Sequence, residues 1–149
     1  MTRFPEPVVP PSFTVDEMLV RFESPTQNEV GYHVGVFGLA NGLARSGRLS
    51  AEDWSWWRAS NDWCNAAYPD PTTVDPAVYD QVLNPGARAW FRSSATDLIA
   101  KAREYVALLD EYEVACVERY TRAPGRVVYG DKVQVIAVPV GALVTRRLS

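Results

Sequence analysis

The sequence predicts a single α+β domain, in which helices cover an antiparallel sheet and a pair of helices lies in the N-terminal half. Two observations lead to this prediction. The C-terminal half alternates a strand-like run, a helical period and three further β-branched runs, in the order β-α-β-β-β. Turn signals rich in proline and glycine separate the last three runs. At 149 residues, the chain is long enough to bury one core.

The chain divides into an arm, a domain and a tail. Four prolines among the first eleven residues predict that residues 1–14 form an extended arm. Residues 15–139 are expected to form the domain, and residues 140–149 a tail. A first strand is predicted at residues 18–22, although residues 14–17 would also suit a helix start.

The helix of the C-terminal half has the clearest local signature. Ser94 can cap its start, and Asp97 sits three residues later, where a capping-box acid reaches back. The apolar residues that follow recur at helical spacing and define one buried face: Leu98, Ile99, Ala102, Tyr105, Val106 and Leu109. Asp110 and Glu111 mark its expected end, and residues 87–92 form the strand before it.

Three strands are expected after this helix, near residues 114–120, 126–129 and 132–138, arranged as a meander. Pro124 and Gly125 fit a type II turn, because proline presets φ at the first central position and glycine accepts a positive φ at the second. Valine, isoleucine and tyrosine dominate the last two runs, as a packed sheet prefers.

Two segments of this half carry a resemblance to other sequences. The first reads Trp-Phe-Arg-Ser-Ser-Ala over residues 90–95, and the second reads Pro-Gly-Arg-Val-Val-Tyr over residues 124–129. The second continues with Asp131, Gln134, Val135, Ala137 and Pro139. Together they resemble a module of uncharacterised bacterial proteins that ends roughly in P-G-x-(I/V)-V-Y-E-D-x-x-Q-V-x-A-x-P. The resemblance implies a shared fold and no activity, and Gly130 stands where those proteins more often carry an acid.

The composition indicates an ordinary globular protein that is neither a general nucleic-acid binder nor a membrane protein. Hydrophobic residues make up 47% of the chain and charged residues 22%. The net charge is −3, whereas nucleic-acid-binding proteins usually carry a basic surface. No apolar run approaches the roughly 18 residues of a membrane span, and the proline-rich start lacks a leader's apolar region. Cys64 and Cys116 are interpreted as buried thiols in a reducing cytoplasm.

Residues 30–46 are predicted to form a helix with four glycines on one face. Gly31, Gly35, Gly38 and Gly42 recur at spacings of four, three and four. Each glycine costs a helix about 1 kcal/mol relative to alanine, so the stripe indicates that something approaches the backbone closely. A tightly packed neighbouring helix and a ligand that lies along the stripe are the two alternatives.

The next predicted helix begins after Ser50 and is rich in aromatic residues: Trp54, Trp56, Trp57, Trp63 and Tyr68. These side chains do not fit one narrow stripe, so at least one tryptophan is expected to be exposed or to face a cavity. Core packing and a binding surface are the alternatives. The irregular segment 69–86 is expected to cover this helix, with one helical turn at residues 76–82.

The sequence contains no strong catalytic motif, and neither a metal nor a cofactor is predicted. Because His33 is the single histidine of the sequence, the paired-histidine motifs of metalloproteases and zinc fingers are excluded. His33 is interpreted as structural, and a pairing with a cysteine stays open. Arg92 and Ser94 could bind an anion through a guanidinium and a helix N-terminus. A cap and a surface arginine are the alternative interpretation.

Two functional hypotheses follow. The first is a small cytoplasmic, non-enzymatic binding protein of the immunity or adaptor kind, which recognises a protein partner through the aromatic helix. The alternative is a protein, or a small enzyme, that binds a small molecule such as an anion in a pocket between the glycine-rich and tryptophan-rich helices. The candidate binding residues are Trp54, Trp57, Trp63, Tyr68, His33, Arg92 and Ser94.

Overall fold

The computed structural model describes residues 17–140, so the predicted arm 1–14 lies outside the described residues, as does the tail after Val140. The described chain forms helices and one five-stranded antiparallel sheet, which confirms the α+β class. Its elements are β1 (Leu19–Glu23), α1 (Val36–Arg45), α2 (Ala51–Ala67), α3 (Pro71–Val74), β2 (Arg88–Arg92), α4 (Thr96–Glu111), β3 (Val117–Thr121), β4 (Arg126–Gly130) and β5 (Gln134–Val138).

The strands lie in the order β3-β1-β2-β5-β4, and every neighbouring pair is antiparallel. The predicted chain order β-α-β-β-β is confirmed, but the predicted meander is wrong. Only β4 and β5 form a hairpin, whereas β3 pairs with β1 from Leu19–Thr121 to Glu23–Val117. Two segments so distant in sequence leave no local signal of their pairing, so the sequence did not indicate it.

The main core lies between one face of the sheet and helices α1 and α4. Val20, Phe22 and Phe91 contribute from the central strands. The helices contribute Val36, Ala40, Leu43, Leu98, Ile99, Ala102, Tyr105 and Leu109. Burial of these apolar side chains is the main stabilising contribution to the fold.

The opposite face of the sheet carries a smaller apolar cluster and two charged residues. Leu19 packs there with Trp90 and Val135. Because side chains alternate along a strand, Arg21 and Glu23 lie on the same face of β1 as Leu19. This alternation places two charged groups of a central strand inside the protein.

Helix α4 forms as predicted except at its start. The predicted periodic residues are buried, apart from Val106, which is partly buried against the core. The helix ends at Glu111, as expected, but its N-cap is Ala95 and makes no side-chain cap bond. Ser94 is therefore not the cap, and its backbone N–H donates instead to the Glu17 carboxylate, 3.2 Å away.

Helix α1 is shorter than the predicted helix 30–46. The Asn28 carboxamide oxygen accepts two backbone N–H groups of the segment before α1, which holds that segment in a turn. Gly31 has a φ of 89°, which a right-handed helix excludes. Gly35 is the N-cap residue. The first half of the predicted glycine stripe therefore lies outside the helix.

The two glycines that lie within α1, Gly38 and Gly42, do not face a tightly packed helix. A Cβ atom built on Gly42 would meet no atom within 4 Å, apart from its own helix and chain neighbours. One built on Gly38 would meet only the Val34 side chain, at 3.0 Å. Close approach occurs instead at Gly35, where the Arg21 guanidinium would lie 3.4 Å from an added Cβ.

Replacing Gly42 by alanine is therefore expected to raise the free energy of unfolding by about 0.5–1 kcal/mol, because alanine loses less entropy in a helix. Urea denaturation followed by circular dichroism measures this change. A loss of stability would mean that a neighbour does need the bare backbone at Gly42.

The segment 69–86 contains a helix, but not the predicted one. Asp70 caps α3 through its carboxylate, and Pro71 occupies the first helical position. The predicted helical turn at residues 76–82 is wrong. Asp75 and Asp80 each accept a backbone N–H two residues further on, which forms successive turns instead.

Candidate functional site

A cavity of about 950 Å³, here called the interhelix cavity, lies where α1, α2 and α3 approach strands β1 and β2. Its polar lining includes Arg21, Asn41, Asn61, Cys64, Tyr68, Asp70, Tyr79, Arg88 and Gln134. Its apolar lining includes Phe22, Val36, Phe37, Phe91 and Leu98. Small-molecule sites combine apolar surface with polar groups that fix the ligand's orientation, and this lining contains both, with many polar side chains.

The cavity forms beside a gap between β1 and β2. Their backbone register ends at the pair Val20–Phe91. Beyond this pair, the Arg21 side chain takes the place of backbone hydrogen bonds between the strands. Its Nη1 donates to the Ala89 carbonyl at 3.0 Å, and its Nη2 donates to the His33 carbonyl at 2.7 Å. A guanidinium thus holds the strands apart and forms part of the cavity wall.

Glu23 supplies the negative charge that holds this guanidinium. The residue is only 3% exposed. Its Oε1 accepts from Arg21 Nε at 2.6 Å, and its Oε2 accepts from Arg119 Nε at 3.4 Å. The Arg88 Nη1 atom lies 3.8 Å from Oε1. Three arginines therefore surround one buried carboxylate, which leaves this region with net positive charge.

Arg88 has unused hydrogen-bonding capacity. Within residues 17–140 its guanidinium has the ion pair with Glu23 and no hydrogen bond. Its side chain is 31% exposed. Burial and the positive charge of Arg21 lower the pKa of Arg88, and Glu23 partly opposes this effect. A second anion beside Arg88 would therefore be stabilised, and five N–H donors are present to bind it.

Two tyrosines add hydroxyl donors to the cavity wall. A tyrosine hydroxyl is ordinarily protonated at neutral pH, and burial raises the pKa of Tyr79 further. Burial likewise raises the pKa of Tyr68, with the negative charge of Asp97 as a further cause. Both hydroxyls can donate to a ligand, whereas Asp70 places a carboxylate in another part of the lining.

A second cavity, of about 250 Å³, adjoins the first, and Arg21, Gly35 and Arg88 line both. The predicted site residue His33 lies in this smaller cavity. Its Nδ1 is 2.9 Å from the Ser24 carbonyl, which can only accept, so Nδ1 carries a proton. His33 is thus a structural contact of the loop that also borders the second cavity.

The structure does not bring the predicted aromatic site residues of α2 together in the interhelix cavity. Tyr68 lines the interhelix cavity, but Trp54, Trp57 and Trp63 do not. Trp54 is 47% exposed and Trp63 43% exposed, which confirms that at least one tryptophan faces solvent. Trp57 lies behind the lining and donates its indole N–H to the cavity residue Asn41, at 3.0 Å.

The predicted anion site at Arg92 and Ser94 is filled by the protein's own Glu17. The Glu17 carboxylate accepts from the Ser94 backbone, the Ser93 hydroxyl and Arg92 Nη1, at 3.2 to 3.4 Å. Desolvation raises the pKa of Glu17, but these hydrogen bonds outweigh it and lower the pKa overall. Neither Arg92 nor Ser94 lines the interhelix cavity.

The sequence interpretation missed Arg21, Arg88 and Asn41. Arg21 and Glu23 alternate with apolar residues in the sequence, a pattern that usually indicates a strand with one solvent-facing side. Their burial, and the meeting of Arg21 with Arg88 and Asn41 in one cavity, depend on the tertiary arrangement.

Some classes of site do not occur in the described part of the chain. Between residues 17 and 140, no three histidine, cysteine or acidic side chains are grouped as metal ligands would be. None of the helices described there has the length and apolar character that a bilayer span requires.

A scan against protein-family models and searches of curated proteins and solved structures found no match to the chain. The resemblance of the C-terminal half stays a prediction.

Proposed function

We propose that the protein binds a small organic anion in the interhelix cavity and that Arg88 is its anchor. The observation that carries this proposal is the partly buried Arg88 guanidinium, which makes no hydrogen bond within the described residues. Arg21 shares the wall but already donates to three protein oxygens. Arg88 is therefore the arginine that can bind a ligand without losing a protein contact.

The charge and shape of the cavity favour a monoanion with an apolar body. Arg21, Arg88 and Arg119 contribute three positive charges, and Glu23 and the lining residue Asp70 remove two of them. The remaining single charge matches a carboxylate better than a doubly charged phosphate. Phe37 and Phe91 offer aromatic surface to the rest of the ligand. The volume of about 950 Å³ falls within the range of small-molecule sites.

Titration calorimetry with phenylpropanoate and its uncharged analogue phenylpropanamide tests this proposal. The acid is expected to bind more tightly than the amide, and Arg88→Gln is expected to weaken its binding about tenfold or more, since charged hydrogen bonds contribute roughly 1.5–3 kcal/mol. Arg58→Gln is the matched control, because Arg58 is exposed on α2 and away from the cavity. Equal binding of acid and amide, or unchanged affinity in Arg88→Gln, would refute the proposal.

A second function, recognition of a protein partner through α2, is supported by the exposure of Trp54 and Trp63. Over its 17 residues, α2 buries only Ser60 fully. Exposed tryptophans are common anchors of interfaces. Trp54→Ala with Trp63→Ala should abolish partner capture, while phenylpropanoate should still bind, because neither residue lines the cavity and each only packs behind it, against Trp57 and Tyr68. Capture by the double variant at the wild-type level would refute this function.

Both functions are proposals of binding rather than catalysis, and both suit a cytoplasmic protein. Cys64 and Cys116 are free thiols, which supports a reducing compartment. Burial raises the pKa of each thiol. Neither cysteine is thereby activated as a nucleophile.

A further inference from the structure

The Asn41 carboxamide, which α1 contributes to the interhelix cavity, is held in one orientation by its hydrogen bonds. The Trp57 indole N–H can only donate. The Asn41 atom that lies 3.0 Å from it must therefore be the carboxamide oxygen. Asn61 Nδ2 donates to the same oxygen at 3.1 Å. Two donors thus hold the Asn41 carboxamide in one orientation.

The next links of this network have the same direction. Because Asn61 points its amide nitrogen at Asn41, its oxygen faces the other way and accepts from the Tyr105 hydroxyl. Tyr105 is completely buried. Burial raises the pKa of Tyr105, so its hydroxyl keeps the proton that it donates. The chain from Trp57 to Tyr105 therefore has one consistent arrangement of donors and acceptors.

Asn41 consequently presents only donors to the cavity. Its oxygen is occupied by two N–H groups, and within residues 17–140 its own amide N–H groups make no hydrogen bond. Asn41 lines the interhelix cavity. A ligand group beside it must accept hydrogen bonds, because a second donor there would find no partner.

The spacing along α1 locates this group relative to Arg21, which lines the cavity together with Arg88. Gly35, Gly38 and Asn41 all line the cavity and follow one another at helical spacing. Gly35 lies against the Arg21 guanidinium. Asn41 follows Gly35 by six positions, which corresponds to about 9 Å along the helix axis.

Resting on the proposed function, we infer that Asn41 selects carboxylates whose apolar body carries an uncharged carbonyl at the end remote from the carboxylate. Arg88 binds the carboxylate, and Asn41 donates to the carbonyl oxygen. Trp57 is a positioning residue, because it fixes the direction of the Asn41 carboxamide without lining the cavity.

Two probes that differ at one oxygen test this inference. Para-acetylphenylpropanoate carries the carbonyl, and para-ethylphenylpropanoate has nearly the same shape without it. Calorimetry on the wild type is expected to show about fivefold tighter binding of the acetyl probe, the worth of one net hydrogen bond. Asn41→Asp keeps the acceptor for Trp57 and Asn61 but replaces the donors with a negative charge. This charge weakens both anionic probes, so the ratio of their affinities is compared, and the preference should reverse. Trp57→Phe should reduce the preference without reversing it.

The outcomes separate this inference from the function on which it rests. If both probes bind equally well and both weaken in Arg88→Gln, the anchor is supported and the selective role of Asn41 is refuted. A preference for the acetyl probe that persists in Asn41→Asp also refutes that role. If neither probe binds the wild type, the proposed anion site and this inference are refuted together.

Discussion

Replacing Arg21 by methionine is expected to lower the free energy of unfolding by about 3 kcal/mol, the low end of the cost of breaking a buried ion pair, because Glu23 keeps two weaker cation contacts. Glu23 would lose its closest cation, at 2.6 Å, and keep Arg119 and Arg88 at 3.4 and 3.8 Å. The Ala89 and His33 carbonyls would also lose their donor. Urea denaturation measures the loss.

Two further variants separate the charge effect from lost packing. Arg119→Met removes a cation whose side chain is 49% exposed, so we expect a cost of at most about 1 kcal/mol. Arg21→Met combined with Glu23→Leu removes both charges and should recover much of the stability that Arg21→Met loses. A cost below about 1 kcal/mol for Arg21→Met alone would show that the ion pair does not hold the gap between β1 and β2.

The second large effect is expected at Gly125, in the turn before β4. Its φ of 112° disfavours any side chain, and a Cβ atom would lie 2.1 Å from the Val138 carbonyl oxygen. Because that oxygen belongs to the backbone, β5 itself would have to move. Gly125→Ala is expected to cost about 3 kcal/mol or more, the sum of backbone strain and overpacking.

Gly47→Ala is the matched control for this substitution. Gly47 also has a positive φ, of 79°, but an added Cβ would meet nothing within 4 Å. Only backbone strain applies there, so we expect a cost of about 1–2 kcal/mol. Thermal and urea unfolding measure the stability loss of both variants. The loss in Gly125→Ala minus the loss in Gly47→Ala gives the cost of the clash with Val138. Equal costs would show that the contact with Val138 relaxes without strain.

Elements with a local signal were predictable from the sequence, and elements set by distant contacts were not. The buried face of α4 follows from helical periodicity, and its residues are where the pattern predicted them. The place of β3 beside β1 depends on backbone pairing across the chain, which periodicity does not encode. Helix α1 began later than predicted because Asn28 stabilises a competing turn.

The same distinction applies to the candidate site. The hypothesis of a pocket between the glycine-rich and tryptophan-rich helices agrees with the location of the interhelix cavity, although tryptophans do not line it. Trp57 was selected for its aromatic surface, whereas its structural contact is the hydrogen bond to Asn41. Arg21 and Arg88 reach the cavity because two strands separate, and no sequence pattern reports such a gap.

Affinity selection with a mixture of small organic acids tests whether Arg88 binds an anion in the interhelix cavity. The protein would be incubated with the mixture, separated by gel filtration and weighed by native mass spectrometry. We expect the wild type and Arg58→Gln to retain at least one acid with an apolar body, and Arg88→Gln to retain none. Retention of the same acids by Arg88→Gln, or of no acid by the wild type, would refute anion binding at Arg88.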